Sequence, residues 1–471
     1  MKKTKIVATI GPASASKEIL QEMIEEGLNV CRINFSHGTH EDHLKVIQLI
    51  RTINDELGTN VAILADLQGP KIRIGEVKDN GVLIEDGSDL IITTEPCLGD
   101  NSKVYLSYES FPQDVKVGDL LLVDDGKFQL EVTHTDGNKE VKTKVTHGGI
   151  LSSKKGVNLP NTSISLPCLT EKDLKDLDFA LEQDVDWVGL SFVRSASDII
   201  ELKEIISSKN KHALVVAKIE KPEAIWEIED IVVETDAVMI ARGDLGVEVP
   251  MEKVPSLQKM IIKTCRLHAK PTIVATQMME SMIKNYRPTR AEVNDVANAV
   301  MDGADAVMLS GETSIGDHPV TVIQAMKKIV IEVEASNDIY GKEELPEKNQ
   351  DRFITDSICF NAARLAERVD ANGIITMTFS GYTAYKISSQ RPKAVTFVFT
   401  ENRKILTQLN LVWGVIGYYY DKMISTDNTI EDCINFLKEN GRLKKGDLVI
   451  NIASIPMEER GQSNMLKLSY V

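Results

Sequence analysis

The chain has 471 residues, of which 42% are hydrophobic, 26% charged and 5% aromatic, and its formal net charge is −16. This length predicts two or three domains with a large core. An acidic chain has no overall field that attracts nucleic acid or an anionic membrane, and no apolar run approaches the roughly 20 residues of a membrane span. We therefore expect neither partner, and any basic site must be local and suited to an anionic small molecule.

Targeting and cysteine signals predict a cytoplasmic protein. The N-terminus carries lysines but lacks the long apolar region of a signal peptide. The six cysteines are scattered without a Cys-x-x-Cys pair, which favours buried, reduced thiols.

Eight short apolar runs alternate with helix-length segments along the chain. The runs lie at 4–9, 28–33, 61–66, 187–191, 214–219, 237–241, 272–276 and 305–309. This alternation predicts eight parallel βα units, which close into a TIM (β/α)8 barrel. The expected barrel comprises residues 1–70 and 167–345, and its chemistry should lie at the C-terminal ends of the strands.

The segment 71–166 differs from the barrel units in its residue pattern. Strand-favouring runs alternate there with Asn-Gly and Asp-Gly turn dipeptides. We predict an inserted all-β domain after strand 3, on the catalytic face, where it can close over a substrate as a lid. A polar linker at 341–350 precedes a C-terminal α/β domain, residues 346–471.

Polar residues follow the predicted barrel strands at the catalytic end. They are Arg32, Asn34, Asp66, Ser191, Lys218, Glu220, Asp244, Thr276, Ser310 and Glu312. One polar residue at a strand end is commonly a helix cap, but polar residues at the same end of seven strands are hard to explain by capping. Two carboxylates, Glu220 and Asp244, together with Lys218 suit a hard cation and a transferring phosphate.

The chain has no Walker A motif and no Gly-x-Gly-x-x-Gly after a strand. Phosphate must therefore be held by other means, for which Arg32, Arg73, Lys218 and the backbone around Gly243 are candidates.

Several motifs in fixed order carry a family resemblance. They are TKIVATIGP at 4–12, RINFSHG at 32–38, DLQGPKIR at 66–73, KGVNLP at 155–160, KIE at 218–220, RGDLGVE at 242–248, ATQM at 275–278, RPTRAE at 287–292 and MLSGET at 308–313. Together they resemble the pyruvate kinase family over the whole chain. The resemblance implies transfer of the phosphoryl group of phosphoenolpyruvate to ADP, giving pyruvate and ATP.

The resemblance also implies roles for individual residues. Glu220 and Asp244 are the expected Mg²⁺ ligands, with Mn²⁺ as an alternative metal. The expected catalytic residues are Lys218, Arg32, Thr276 and Ser310. The expected substrate contacts are Arg32, Lys218, Gly243, Asp244 and Thr276. The expected nucleotide contacts are Asn34, Ser36, His37, Arg73 and Lys155.

The chain departs from the family at the monovalent-cation site, whose residues correspond to Asn34, Ser36, Asp66 and Leu67. Most potassium-dependent members resemble Asp-Thr-Lys-Gly-Pro-Glu-Ile-Arg where this chain has DLQGPKIR. Lys71 thus replaces a glutamate and can supply the charge that K⁺ otherwise provides. We therefore predict that K⁺ is dispensable.

The C-terminal domain resembles the family's effector domain. Thr378, Ser380, Gly381 and Thr383 resemble a phosphate-binding turn, and a sugar phosphate is a possible effector. Glu458 and Glu459 stand where relatives usually have a glycine-rich loop, which predicts weak or absent activation by fructose 1,6-bisphosphate. The resemblance further implies a homotetramer.

Two alternatives from other classes remain at this stage. A barrel lyase or aldolase acting on an oxoacid through a magnesium enolate needs Lys218 and the two carboxylates, but has no use for an ADP-closing insertion with Arg73 and Lys155. A non-catalytic regulatory homologue should have lost a metal ligand or the lysine, and this chain retains all three.

Overall fold

The chain alternates strands and helices through most of its length. The computed structural model describes residues 2–160, 162, 164–336, 339–341, 344–348, 351–422, 425–455 and 462–471. Its strands, numbered in chain order, are β1 (Lys5–Thr9), β2 (Val30–Asn34), β3 (Ala62–Asp66), β4 (Val82–Ile84), β5 (Asp89–Thr93), β6 (Lys103–Tyr105), β7 (Leu120–Val123), β8 (Phe128–Thr135), β9 (Glu140–His147), β10 (Gly149–Leu151), β11 (Val157–Asn158), β12 (Trp187–Leu190), β13 (Leu214–Ile219), β14 (Ala237–Ala241), β15 (Thr272–Ala275), β16 (Ala306–Leu309), β17 (Gly373–Met377), β18 (Val395–Thr400), β19 (Val415–Tyr419), β20 (Leu448–Ala453) and β21 (Met465–Tyr470).

The α-helices are numbered in the same way. They are α1 (Lys17–Glu25), α2 (His40–Leu57), α3 (Phe111–Asp114), α4 (Glu171–Glu182), α5 (Ala196–Ser208), α6 (Pro222–Trp226), α7 (Ile228–Glu234), α8 (Arg242–Glu248), α9 (Val254–Leu267), α10 (Arg290–Asp302), α11 (Gly311–Ser314), α12 (Pro319–Glu334), α13 (Phe353–Arg368), α14 (Tyr382–Ser389), α15 (Arg403–Gln408) and α16 (Thr426–Glu439). No helix among the described residues is both long and apolar enough to cross a membrane.

Eight strands close into a parallel barrel in the order β1-β16-β15-β14-β13-β12-β3-β2. Each begins and ends within two residues of its predicted bounds, so the predicted TIM barrel is confirmed. The barrel interior is filled by apolar side chains, with the fully buried Trp187 as the largest. Helices start at defined residues: Thr39 and Asp42 form a capping box at α2, and Thr289 and Glu292 form another at α10.

The insertion between β3 and β12 has its own apolar core. It contains the sheet β11-β7-β8-β9-β5-β6 and the two-stranded sheet β10-β4. The prediction of an all-β insertion omitted the helix α3, a single turn with Pro112 as its second residue.

The C-terminal α/β domain has the sheet order β19-β18-β17-β20-β21, with β21 antiparallel at one edge. The predicted linker is anchored where it is described: Gly341 N donates to Arg391 O at 3.1 Å, and Glu344 N donates to Gln390 Oε1 at 3.0 Å. All six cysteines are free, as predicted, but Cys97 is only half-buried, which corrects the expectation that every thiol is buried. It lies in the insertion, on the segment between β5 and β6 and outside any strand.

Candidate active site

A cluster of charged side chains lies where β2, β3 and β13 end. Lys218 Nζ lies 3.2 Å from Asp66 Oδ1 and 3.0 Å from Glu220 Oε1. On the other side of Asp66, Arg32 Nε donates to Oδ2 at 2.7 Å. Lys218, Asp66 and Glu220 are all buried. Charges alternate along the cluster, and this pairing is what allows charged groups to remain buried.

The pKa values in this cluster reflect its pairing. Burial opposes ionisation of Asp66, but Lys218 and Arg32 outweigh it and hold the pKa of Asp66 below its usual value. Burial also acts to lower the pKa of Lys218, but Asp66 and Glu220 raise it above the ordinary value. The pKa of Glu220 is raised, first by burial and also by the neighbouring Asp244 carboxylate.

Glu220 and Asp244 together form a donor set that fits a divalent cation. Glu220 is buried and Asp244 is exposed, so the pair combines a fixed oxygen ligand with an accessible one. Carboxylate oxygens are the ligands that Mg²⁺ prefers, and Mg²⁺ keeps several waters when only one or two carboxylates bind it. A cation between them would also relieve the repulsion that raises the pKa of Glu220.

The end of β12 fixes the orientation of this cluster. Ser191 Oγ accepts a hydrogen bond from Lys218 Nζ at 2.6 Å and donates to Leu67 O at 2.7 Å. Phe192 N donates to Glu220 Oε2 at 2.9 Å. Sequence reasoning noted Ser191 only as a polar residue at a strand end. The signal that could have assigned it is its position on the strand that neighbours β13 in a barrel.

Thr9 was also missed as a contributor to the site. Its Oγ1 accepts a hydrogen bond from Arg32 Nη1 at 2.8 Å and donates to Leu309 O at 3.2 Å. Thr9 is the last residue of β1, which pairs with β2. Its place at a strand end was the available signal.

Close packing at the start of the insertion requires a glycine at position 69. Gly69 has φ +70°, and a Cβ there would lie 2.7 Å from Phe192 Cδ2 and 2.9 Å from Ser191 Cβ. The chain therefore leaves β3 pressed against the β12 end before it enters the insertion.

A second group of predicted residues meets where β14 and β15 end. Gly243 N donates to Thr276 Oγ1 at 2.7 Å. Thr276 has φ +71° and Gln277 has φ +53°, a backbone conformation that is unfavourable for residues with a Cβ. Such strain concentrates at functional sites and must be held by the surrounding structure.

Glu312 connects the β16 end to this group. Ser310 N donates to Glu312 Oε2 at 2.7 Å, and Met279 N donates to Glu312 Oε1 at 3.1 Å. The buried carboxylate thus joins the segments that carry Ser310 and Thr276.

A cleft of about 420 Å³ lies between the insertion and the barrel. Lys71, Arg73 and Lys155 line it from the insertion side and Asp244 from the barrel side. Lys155 Nζ lies 3.0 Å from Asp124 Oδ1, and Arg73 Nη1 donates to Lys154 O at 3.0 Å. The predicted nucleotide cations and a predicted metal ligand therefore face the same cleft.

The loop after β2 lies beside the insertion's cations. Asn34 is paired with Asp66 in the β2–β3 register, and Ser36 N donates to Asn34 Oδ1 at 3.1 Å. The pKa of His37 is lowered, first by desolvation and then by Lys71, Arg73 and Arg32. His37 is thus influenced by the cleft's positive charges, but Asn34, Ser36 and His37 are not among the residues that line the cleft.

Lys71 is solvent-exposed but senses the charged cluster. Its pKa is lowered, first by desolvation from nearby protein atoms and then by Lys218, while Asp244 and Glu220 act to raise it. Lys71 also lines the cleft, where its ammonium adds to the positive charge of Arg73 and Lys155.

The predicted effector turn lies in the C-terminal domain: Thr378, Ser380 and Gly381 lie between β17 and α14, and Thr383 lies in the first turn of α14. Gly381 has φ +81°, and its N–H donates to Thr378 Oγ1 at 3.0 Å. Thr383 Oγ1 and Ser463 Oγ lie 3.2 Å apart. Glu458 and Glu459 fall outside the described residues.

Comparisons with known proteins identify the family. Residues 1–323 match the model "Pyruvate kinase, barrel domain", and residues 356–469 match "Pyruvate kinase, alpha/beta domain". The chain belongs to the pyruvate kinase family. It is 42% identical to the pyruvate kinase of Geobacillus stearothermophilus over 475 residues, which cover 100% of this chain and 80% of that protein. It is 43% identical to the pyruvate kinase of Corynebacterium efficiens over 465 residues, which cover 99% and 97% of the two chains.

A solved structure agrees with this assignment. The crystal structure of a pyruvate kinase from Cryptosporidium parvum superposes with a TM-score of 0.93 at 34% identity, covering 100% of this chain and 96% of that one. The predicted family, fold and phosphotransferase class are therefore confirmed.

Proposed function

We propose that the chain transfers the phosphoryl group of phosphoenolpyruvate to ADP and releases pyruvate and ATP. The observation that carries this proposal is Lys218, held at 3.0 to 3.2 Å from two carboxylates at the strand ends. The adjoining cleft is lined by Arg73, Lys155 and Asp244. Phosphoryl transfer depends mainly on alignment and on neutralising negative charge, and these side chains supply both.

Each group has a role that its position supports. Lys218 and Arg32 contact the transferring phosphoryl group. Lys218 also stabilises the enolate oxygen from which the phosphoryl group departs. The N–H of Gly243 now donates to Thr276 Oγ1, and the Thr276 hydroxyl donates to Ala275 O. When substrate binds, both donors exchange these acceptors for its carboxylate. Arg73 and Lys155, with Asn34, Ser36 and His37, contact the nucleotide.

Glu220 and Asp244 hold the divalent metal, Mg²⁺ or Mn²⁺. When bound, the metal neutralises charge on the phosphoryl oxygens and the enolate. Phe192 N and Lys218 keep the Glu220 carboxylate oriented toward the site.

The enolate carbon must then gain a proton to become pyruvate. We place Thr276 and Ser310 near that proton path, with water as the carrier. Glu312, which accepts from the amides of Ser310 and Met279, keeps the two segments together.

Potassium is dispensable in this proposal. Lys71 lines the cleft beside Arg73, Lys155 and Asp244, and its ammonium adds a positive charge there. Because the side chain is exposed, water screens this charge, and it contributes less than the about 3 kcal/mol that a unit charge at about 5 Å supplies at an effective dielectric constant near 20.

A phosphate-bearing effector would bind the turn formed by Thr378, Ser380, Gly381 and Thr383. The left-handed Gly381 directs the turn into α14. We further propose a cytoplasmic homotetramer, for which gel filtration with light scattering is the direct measurement.

One coupled assay tests the central proposal. Purified protein is mixed with phosphoenolpyruvate, ADP and Mg²⁺, and ATP and pyruvate are measured separately. We expect the two products in equal amounts. Pyruvate without ATP would mean that water accepts the phosphoryl group, and would refute the proposal. If neither product forms, release of pyruvate from an oxoacid supplied in place of phosphoenolpyruvate favours the lyase alternative, and no release favours a non-catalytic homologue.

A further inference from the structure

Arg242 is the first residue of α8, the short helix that presents Gly243 and Asp244. Its guanidinium turns away from the cleft and binds Asp295 of α10 in a two-pronged ion pair. Nη1 lies 2.6 Å from Asp295 Oδ1, and Nη2 lies 2.7 Å from Oδ2. Planar bidentate pairs of this kind are strong and directional, which favours a precise orienting role.

The same guanidinium also binds the strained backbone after β15. Nη2 donates to Thr276 O at 2.9 Å, and Nε lies 3.4 Å from Ala275 O. Nη2 further contacts Met278 Sδ at 2.9 Å, and Nη1 contacts Gln258 Oε1 of α9 at 3.3 Å. Arg242 therefore joins the β14 end, the β15 end, α9 and α10 through one side chain.

This arrangement matters because Thr276 and Gln277 both have a left-handed backbone conformation. A non-glycine residue in a sparsely populated backbone region is strained, so the turn keeps this shape only if its surroundings hold it. The carbonyl of Thr276 accepts from Arg242, and the hydroxyl oxygen of Thr276 accepts from the amide of Gly243, the residue that follows Arg242 in the chain.

We infer that Arg242 is a positioning residue for phosphoryl transfer: paired with Asp295, it holds the Thr276 turn at the geometry in which Thr276 and Gly243 meet the substrate carboxylate. The inference rests on the substrate role proposed above for Thr276. Arg242 itself touches neither substrate nor metal in this scheme.

A double-mutant cycle tests the inference. The variants are Arg242→Lys, Thr276→Ala and the double variant, each assayed for kcat/KM toward phosphoenolpyruvate with ADP saturating. Because a lysine cannot make the bidentate pair and also reach the Thr276 carbonyl, we expect Arg242→Lys to lower kcat/KM by about 10- to 100-fold. The KM for ADP should change by less than about twofold, since the nucleotide residues lie elsewhere.

The coupling between the two sites is decisive. If Arg242 acts through Thr276, adding Arg242→Lys to Thr276→Ala should cost no more than about a further twofold. Losses that simply multiply, or a Thr276→Ala enzyme with normal kcat/KM, would overturn the inference. A wild-type protein that makes no ATP would instead refute the proposed function, so the two failures are distinguishable.

Asp295→Asn provides a second route if Arg242→Lys does not fold. It weakens the pair from α10, where the Asp295 side chain is 34% exposed, and leaves the cleft residues unchanged. The same lack of additivity with Thr276→Ala is expected, and additive losses would again overturn the inference. Asp178→Asn is the matched control, because it removes an exposed ion pair of 2.8 Å with Lys209 between barrel helices, and it should leave kcat/KM unchanged.

Discussion

Replacing Lys218 by methionine removes the central charge of the site while retaining a long apolar side chain. At an effective dielectric constant of about 20, two unit charges about 3 Å apart attract by about 5 kcal/mol before desolvation is counted. Lys218 has two such partners, at 3.0 and 3.2 Å. A phosphoryl group in transit presents negative charge to the same ammonium. Loss of one preorganised electrostatic donor typically costs ~10²–10³ in kcat.

The fold should survive this substitution because Asp66 and Glu220, the two carboxylates that lose Lys218, keep other partners. Asp66 retains Arg32 at 2.7 Å, and Glu220 retains the Phe192 amide at 2.9 Å. Breaking a buried pair that leaves an uncompensated charge costs about 3–5 kcal/mol, so these remaining contacts should keep the loss below that range. We expect Lys218→Met to unfold cooperatively, with a modestly lower Tm.

The assay couples pyruvate formation to NADH oxidation at saturating phosphoenolpyruvate, ADP and Mg²⁺. We expect turnover to fall by about a hundredfold or more. Lys5→Met is the matched control, because Lys5 is also buried in a barrel strand but donates to Val415 O at 2.7 Å, far from the catalytic face. Near-normal turnover in folded Lys218→Met, or an equal loss in Lys5→Met, would refute the reasoning.

Three further predictions address the metal, the monovalent ion and the effector. Asp244→Asn should slow the reaction and move the Mg²⁺ titration midpoint to higher concentration, because one accessible carboxylate ligand is lost; an unchanged titration would contradict its role. The wild-type enzyme should be substantially active in a K⁺-free tetramethylammonium buffer, and Lys71→Glu should create a potassium requirement; a wild-type enzyme that is nearly inactive until K⁺ is added would show the idea to be wrong. Fructose 1,6-bisphosphate should leave the half-saturating phosphoenolpyruvate concentration nearly unchanged, because the sequence has Glu458 and Glu459 where a glycine-rich loop is usual, and carboxylates near a bisphosphate would repel it; a large fall in that concentration would count against the prediction.

Sequence periodicity predicted the barrel well because every barrel strand is buried on both faces. Such strands appear as continuous apolar runs, and the charged residues that interrupt them, such as Lys218 and Asp66, mark the strand ends. The C-terminal domain was less predictable. Strands β19 and β21 lie at the two edges of its sheet and are mostly half-buried or exposed. Lys467 and Ser469 interrupt the apolar run in β21, and Gly417 interrupts it in β19, which weakens the strand signal of both.

The amino-acid sequence by itself determined the family, the eight strands and the residues at their C-terminal ends, because these depend on local pattern and on ordered motifs. Only the tertiary structure decided which of those residues meet. Ser191 and Thr9 became contacts of Lys218 and Arg32 because neighbouring strands in a barrel come from distant parts of the chain. The bond between Arg242 and Asp295 spans 53 residues, and neither residue carries a local signal for it. Such pairings follow from barrel closure and from the packing of helices around it, which no single segment encodes.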